Sequence, residues 1–118
     1  MTPTEIKTSY RRILSEVGEP ILIRRYTGSG ANRPRFDAPV LARVVGYQPH
    51  ELVGTLVQGD RKLIVLVEDL IDAQFALPVV TGDKAVIRGV ECNIEAADDS
   101  TRRIGTTLIA YELQVRGG

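Results

Sequence analysis

The amino-acid sequence predicts a mainly β fold: a small antiparallel β-barrel or sandwich with one N-terminal α-helix and a long projecting loop. Three observations lead there. Helical spacing of apolar residues is confined to the first seventeen positions. From residue 21 onward the pattern changes to about seven short alternating or β-branched runs. These runs follow one another through turns, with no helical stretches between them to build βαβ units. The expected organisation is one domain over residues 1–118, with a helix at 3–17, barrel strands within 21–115 and a long loop at 27–38.

The helix has a marked start. Thr2 and Glu5 have the spacing of a capping box, and Pro3 occupies the first helical position, where its missing N–H costs nothing. Ile6, Tyr10, Ile13, Leu14 and Val17 then form one apolar stripe. Gly18 suits a left-handed cap, and Pro20 prevents continuation. A helix this short is marginal alone, so its stripe is expected to pack on a sheet.

Ile21–Tyr26 reads as the first strand. Thr27–Ala38 reads as a long loop, with two glycines, Pro34, and Arg33 and Arg35 near its tip. Val40–Tyr47 is apolar on both faces except at Arg43, the pattern of a central strand. Residues 48–51 read as a turn or a short helical entry. Residues 51–58 alternate, and Gln58-Gly59-Asp60-Arg61 reads as a tight connection into the β-rich run 61–67. The acidic stretch 68–76 fits either one helical turn or a loop. Residues 84–88 and 90–96 are short strands broken at Gly89. Residues 98–103 form a polar turn, and 106–115 the last strand.

At 118 residues, with 43% hydrophobic and 25% charged residues, the chain can build one core without staples. Its 15 basic and 15 acidic residues cancel, unlike the basic surplus of a free-standing nucleic-acid binder. One cysteine excludes an internal disulfide, and one histidine with one cysteine excludes the usual four-ligand zinc site. There is no apolar run of membrane-spanning length, no apolar signal core in MTPTEIKTSYRR and no lipidation motif; the expected location is the cytoplasm, or a particle assembled there. The zero sum hides an asymmetry. Residues 1–50 carry eight basic and four acidic residues, and residues 51–100 carry four basic and ten acidic. Separated signs can pair one copy with the next, or can mix within one folded chain.

No catalytic set is legible. His50 lies in a Pro-His-Glu turn without a nucleophile-elbow context. Cys92 shares strand parity with Val90 and Ile94, which predicts a buried small hydrophobe. Glu68, Asp69 and Asp72, and separately Asp98 and Asp99, lack calcium-loop spacing and read as solvated acidic surface. Gly28-Ser29-Gly30 matches no dinucleotide or phosphate-loop pattern. The pairs Arg11-Arg12, Arg24-Arg25 and Arg102-Arg103 could touch phosphates, but the six aromatic residues are too scattered for a base-stacking surface. No catalytic residue, metal or cofactor is expected.

The chain resembles small head–tail connector proteins of tailed bacteriophages and prophages, the stopper or head-completion group. The segments that carry the resemblance are the leading helix followed by Glu19–Tyr26, then Ala42–Tyr47, Val57–Val65, Gly82–Gly89 and Ala110–Gly117, together most of the chain. The resemblance implies a structural virion protein of the neck, a β-barrel subunit that forms a homo-oligomeric ring. Such a ring lies below the portal and adaptor, closes the DNA channel, and meets the tail-tube or tail-terminator protein. It also implies virion localisation after assembly in the bacterial cytoplasm, non-specific contact with packaged DNA, and no membrane partner.

On that footing the loop residues Gly28, Ser29, Gly30, Asn32, Arg33, Arg35 and Phe36 are candidates for contact with channel DNA or a neighbouring subunit. Arg11, Arg12, Arg24, Arg25, Glu68, Asp69 and Asp72 are subunit-interface candidates. Unpaired strand edges of an open barrel would give a neighbour a second point of attachment. The alternatives are a tail-terminator or tail-completion protein of the same particle, and an OB-like module for single-stranded nucleic acid.

Overall fold

The computed structural model of the chain describes residues 2–28, 30–46, 59–99 and 102–117. Helix α1 spans Pro3–Val17 and starts with the expected capping box: the Glu5 amide donates to Thr2 Oγ1, and the Thr2 amide donates to the Glu5 carboxylate. Its end differs from expectation. Gly18 is extended (φ −84°, ψ 167°), not left-handed, and its N–H donates to the Leu14 carbonyl at 2.8 Å. Glycine is required there by space, because a Cβ would lie 2.5 Å from the Leu14 oxygen.

Six strands close into an antiparallel barrel: β1 (Glu19–Tyr26), β2 (Arg35–Gly46), β3 (Arg61–Leu66), β8 (Ala110–Arg116), β5 (Val90–Asp98) and β4 (Lys84–Ile87), in that spatial order. β4 returns to β1 through Leu22↔Val86, Ile23↔Ala85 and Arg24↔Lys84. Helix α2 (Val67–Asp72) follows β3, and β6 (Arg103–Ile104) with β7 (Thr107–Leu108) makes a small separate hairpin. Closure removes the open edges that a neighbour was expected to cover, because each barrel strand has a partner on both sides.

Alternation selects the interior. Ile21 and Ile23, Ala38, Val40 and Ala42, Leu63 and Val65, Ala85 and Ile87, Cys92 and Ile94, and Tyr111, Leu113 and Val115 form one buried core. The α2 segment adds Leu70, Phe75 and Val79 to it. On the outer surface, the α1 stripe meets Leu41, Ile64, Leu66, Ile109 and Ala110 in a second cluster, with Leu14 fully buried. The short helix therefore gains its stability from the sheet, as its length requires.

Two boundaries move and one residue lies on an unexpected side. The loop is shorter than 27–38: the Thr27 amide donates to the Pro34 carbonyl, and β2 already begins at Arg35, paired with Tyr26. Phe36, Asp37 and Ala38 continue the alternation that ends in Val40 and Ala42, so they belong to the strand. The last strand is divided at Ile109, whose amide donates to the Arg102 carbonyl and whose carbonyl accepts from Val67. Val90, expected inside with Cys92, is exposed at the first position of β5 beside the Arg88-Gly89 turn. Both turn residues have positive φ (51° and 80°), the two-residue geometry that matches strand twist. The turn expected at 48–51 with His50, the strand expected at 51–58 and Gln58 of the turn into β3 lie outside the described residues.

Candidate functional site

Arg11, Arg24, Arg25 and Arg102 turn out to be internal clamps. Arg24 and Arg25 are consecutive in β1 and so point to opposite faces. On the outer face Arg24 forks onto Asp37 of β2 (2.8 and 3.1 Å) and reaches Glu91 of β5 at 3.0 Å. Tyr26 donates its hydroxyl proton to the same Glu91. One guanidinium thus ties both sides of the β1–β4 seam. The Arg24 hydrogen bonds hold the Asp37 carboxyl below its usual range, and Tyr26, then Arg24, hold Glu91 below its own.

On the inner face Arg25 closes one barrel mouth. It makes a bidentate pair with buried Asp83 (2.8 and 2.7 Å) and donates to the carbonyls of Ala76 and Pro78. Its guanidinium lies 4.4 Å from the centre of the Phe75 ring. Asp83 also accepts from the Val80 amide. Arg11 behaves similarly, bonding Glu68 and Asp69 and fastening α1 to α2. Five of the seven expected subunit-interface residues, Arg11, Arg24, Arg25, Glu68 and Asp69, therefore join parts of one chain. Arg12 and Asp72 are exposed. The separated charges are mixed by folding, and charge pairing between copies loses most of its expected residues.

The β1–β2 hairpin tip remains open to solvent. Gly28, Gly30, Ala31, Asn32, Arg33 and Pro34 are all exposed; Ser29 lies outside the described residues. The Arg33 guanidinium sits 4.0 Å over the Tyr26 ring, a cation–π stack that holds the tip against its own strand. Arg35 keeps 56% side-chain exposure and is 3.8 Å from Asp37. Phe36 is 43% exposed, with its ring centre 6.3 Å from that of Phe75. Leu77 and Val80, on the segment that Arg25 holds over the mouth, are also exposed. One end of the barrel thus offers two arginines on a short hairpin beside an apolar rim. That arrangement can rest on phosphates or carboxylates without reading a sequence. The loop is a hairpin tip of residues 27–34, with Arg35 and Phe36 at the start of a strand.

A second surface was not foreseen. A groove of about 350 Å³ runs between α1 and the outer face of the barrel, lined mainly by Ile6, Tyr10, Ile13, Leu14 and Ile64, with Arg43 and Arg102 at its polar margin. Arg102 donates to Tyr10 Oη and Glu112. The sequence signal was there: Arg43 interrupts an otherwise apolar strand, and the helical stripe is wider than one sheet contact needs. At the far mouth Asp60 is 3% exposed and accepts from Gln114 and Arg116. Nothing local marked that pairing, because its members are over fifty positions apart.

Cys92 is buried, as its parity required, with Arg61 Nη2 at 3.1 Å from its sulfur. Among the described residues, no three His, Cys, Asp or Glu side chains converge as metal ligands, and no helix is long and apolar enough to cross a membrane. No family model, curated protein or solved structure matches the chain.

Proposed function

We propose that the chain is a structural subunit of the neck of a tailed phage or phage-like particle. On this reading it is a connector of the stopper or head-completion group and acts as a ring below the portal and adaptor. The observation that carries the proposal is the exposed, doubly basic hairpin tip on a closed barrel. A neck subunit needs a rigid body that tolerates passing DNA and a projection that reaches a neighbour. The β1–β2 hairpin supplies both: its tip is fixed by Arg33 on Tyr26, and its root by Arg24 and Arg25.

Closure of the barrel changes how such a ring would hold together. Each barrel strand has a neighbour on both sides, which leaves no full-length open edge, so contacts between copies on this reading pass mainly through side-chain surfaces. The tip and the apolar rim of Phe36, Leu77 and Val80 are the surfaces next to each other. Packaged DNA would meet Arg33 and Arg35 as a non-specific polyanion, and the tail-tube or tail-terminator ring would meet the opposite side.

The experiment is deletion of the coding sequence from the genome that carries it, followed by electron microscopy of induced particles. The expected result is heads without attached tails, restored by the wild-type chain and not by Arg33→Glu/Arg35→Glu. Tailed particles of normal yield and infectivity without the chain would contradict the proposal.

A further inference from the structure

Between α2 and β4 the chain crosses one barrel mouth as a strap, residues 73–83, outside any helix or strand. Phe75, Val79 and Asp83 are buried, and the other residues from 74 to 82 are exposed. The polar attachments of the strap converge on one side chain. All three guanidinium nitrogens of Arg25 are committed there: Nη1 to the Ala76 carbonyl at 2.7 Å, Nη2 to the Pro78 carbonyl at 2.9 Å, and Nε with Nη2 to the Asp83 carboxylate. Asp83 is itself fixed to the barrel, because its carbonyl accepts from the Ile94 amide of β5. The strap ends are turning points, with φ 62° at Gln74 and 104° at Gly82.

We propose that residues 74–82 open and close over the mouth as one unit, hinged at Gln74 and Gly82, with Arg25 as the latch and the barrel closed throughout. Two observations favour opening here over loosening of the barrel. The strap has two apolar anchors, Phe75 and Val79, whereas each barrel strand is paired on both sides. Withdrawal of Arg25 also unties two carbonyls and the carboxylate that accepts from the Val80 amide, so the attachments are lost together. Opening takes the apolar rim apart, because Leu77 and Val80 ride on the strap while Phe36 stays on β2. A partner resting on that rim therefore binds the latched state alone and holds the mouth shut. This last consequence rests on the contact surface proposed above; the strap motion does not.

The test is native-state amide hydrogen exchange of the isolated full chain over a series of low urea concentrations, for the wild type, Arg25→Met and Arg25→Lys. The isolated chain suffices, so the result stands apart from the fate of the neck reading. The probes are the Val80 amide, which donates to the Asp83 carboxylate, and the Asp83 amide, which donates to the Val80 carbonyl. In the wild type both exchange about tenfold or more faster than amides of the β3–β8 pairing, with equal protection and little dependence on urea, as a small local opening requires. Arg25→Met speeds both by a further factor of about ten or more and leaves the β3–β8 amides protected. Arg25→Lys, which keeps the charge and loses the fork, falls between; if Arg25→Met does not fold, Arg25→Lys and the wild-type urea series decide. Probes that exchange only at the β3–β8 rate, with its urea dependence, overturn the strap. Probes unmoved by either Arg25 variant overturn the latch.

Discussion

Individual side chains do two kinds of work here, and the sequence displayed only one. Burial was legible: Ile21, Ile23, Val40, Leu63, Val65, Cys92, Ile94 and Leu113 follow alternation and are inside. Ion pairing was not, because Arg24, Arg25 and Arg11 find partners 13 to 67 positions away, and local pattern has no access to such distances. Arg25 is the clearest case. Replacing it with Met leaves Asp83 buried without its bidentate partner and releases the segment over the mouth. The expected loss is about 2–4 kcal/mol in urea unfolding, measured with native-like far-UV dichroism before the transition. Arg24 governs acid stability. Asp37 and Glu91 ionise at lower pH in the fold than in the open chain, so their contribution is complete above the ordinary carboxylate range and fades as the pH falls through their folded values. Thermal midpoints of the wild type should therefore drop below about pH 4, and Arg24→Gln should lower the neutral midpoint and flatten that acid limb.

The elements themselves were legible wherever local chemistry decides them. The helix runs over 3–17, as its cap, proline and stripe predicted, and Arg88-Gly89 turns β4 into β5. What failed was the meaning of particular boundary residues. Gly18 was read for handedness, yet it is needed because the Leu14 carbonyl leaves no room for a Cβ. The loop at 27–38 was drawn too long because Arg35 and Pro39 masked a strand that cross-strand pairing extends. Two substitutions separate the effects at the helix ends. Thr2→Ala removes the capping oxygen and should cost about 1 kcal/mol. Gly18→Ala should cost more than Thr2→Ala, because backbone must move to accept the methyl group. Chemical unfolding of the two variants in parallel checks the order.

At the scale of the whole molecule, closure was the property least available in advance. Alternating strands and turns announce antiparallel pairing, but β1 meets β4 across some sixty residues of chain, and only the folded register shows it. That seam is also the shortest, three residue pairs against eight between β1 and β2, and its outer brace is the Arg24–Glu91 and Tyr26–Glu91 contacts. Amide hydrogen exchange should accordingly be faster at Leu22, Arg24 and Val86 than across the β3–β8 pairing, with the difference growing in Arg24→Gln. The candidate site was legible as a basic, glycine-containing tip; the stack of Arg33 on Tyr26, and the apolar rim beside it, were visible only in three dimensions. The proposed neck role requires the chain to build a ring with its tip facing a neighbour or the channel. Cryo-electron microscopy of the particle neck tests this directly. The predicted result is a ring of six-stranded barrels between the portal–adaptor and the tail, with residues 27–34 directed at the lumen or an adjoining subunit. A neck without this barrel, or one whose tips point outward into solvent, would contradict the account.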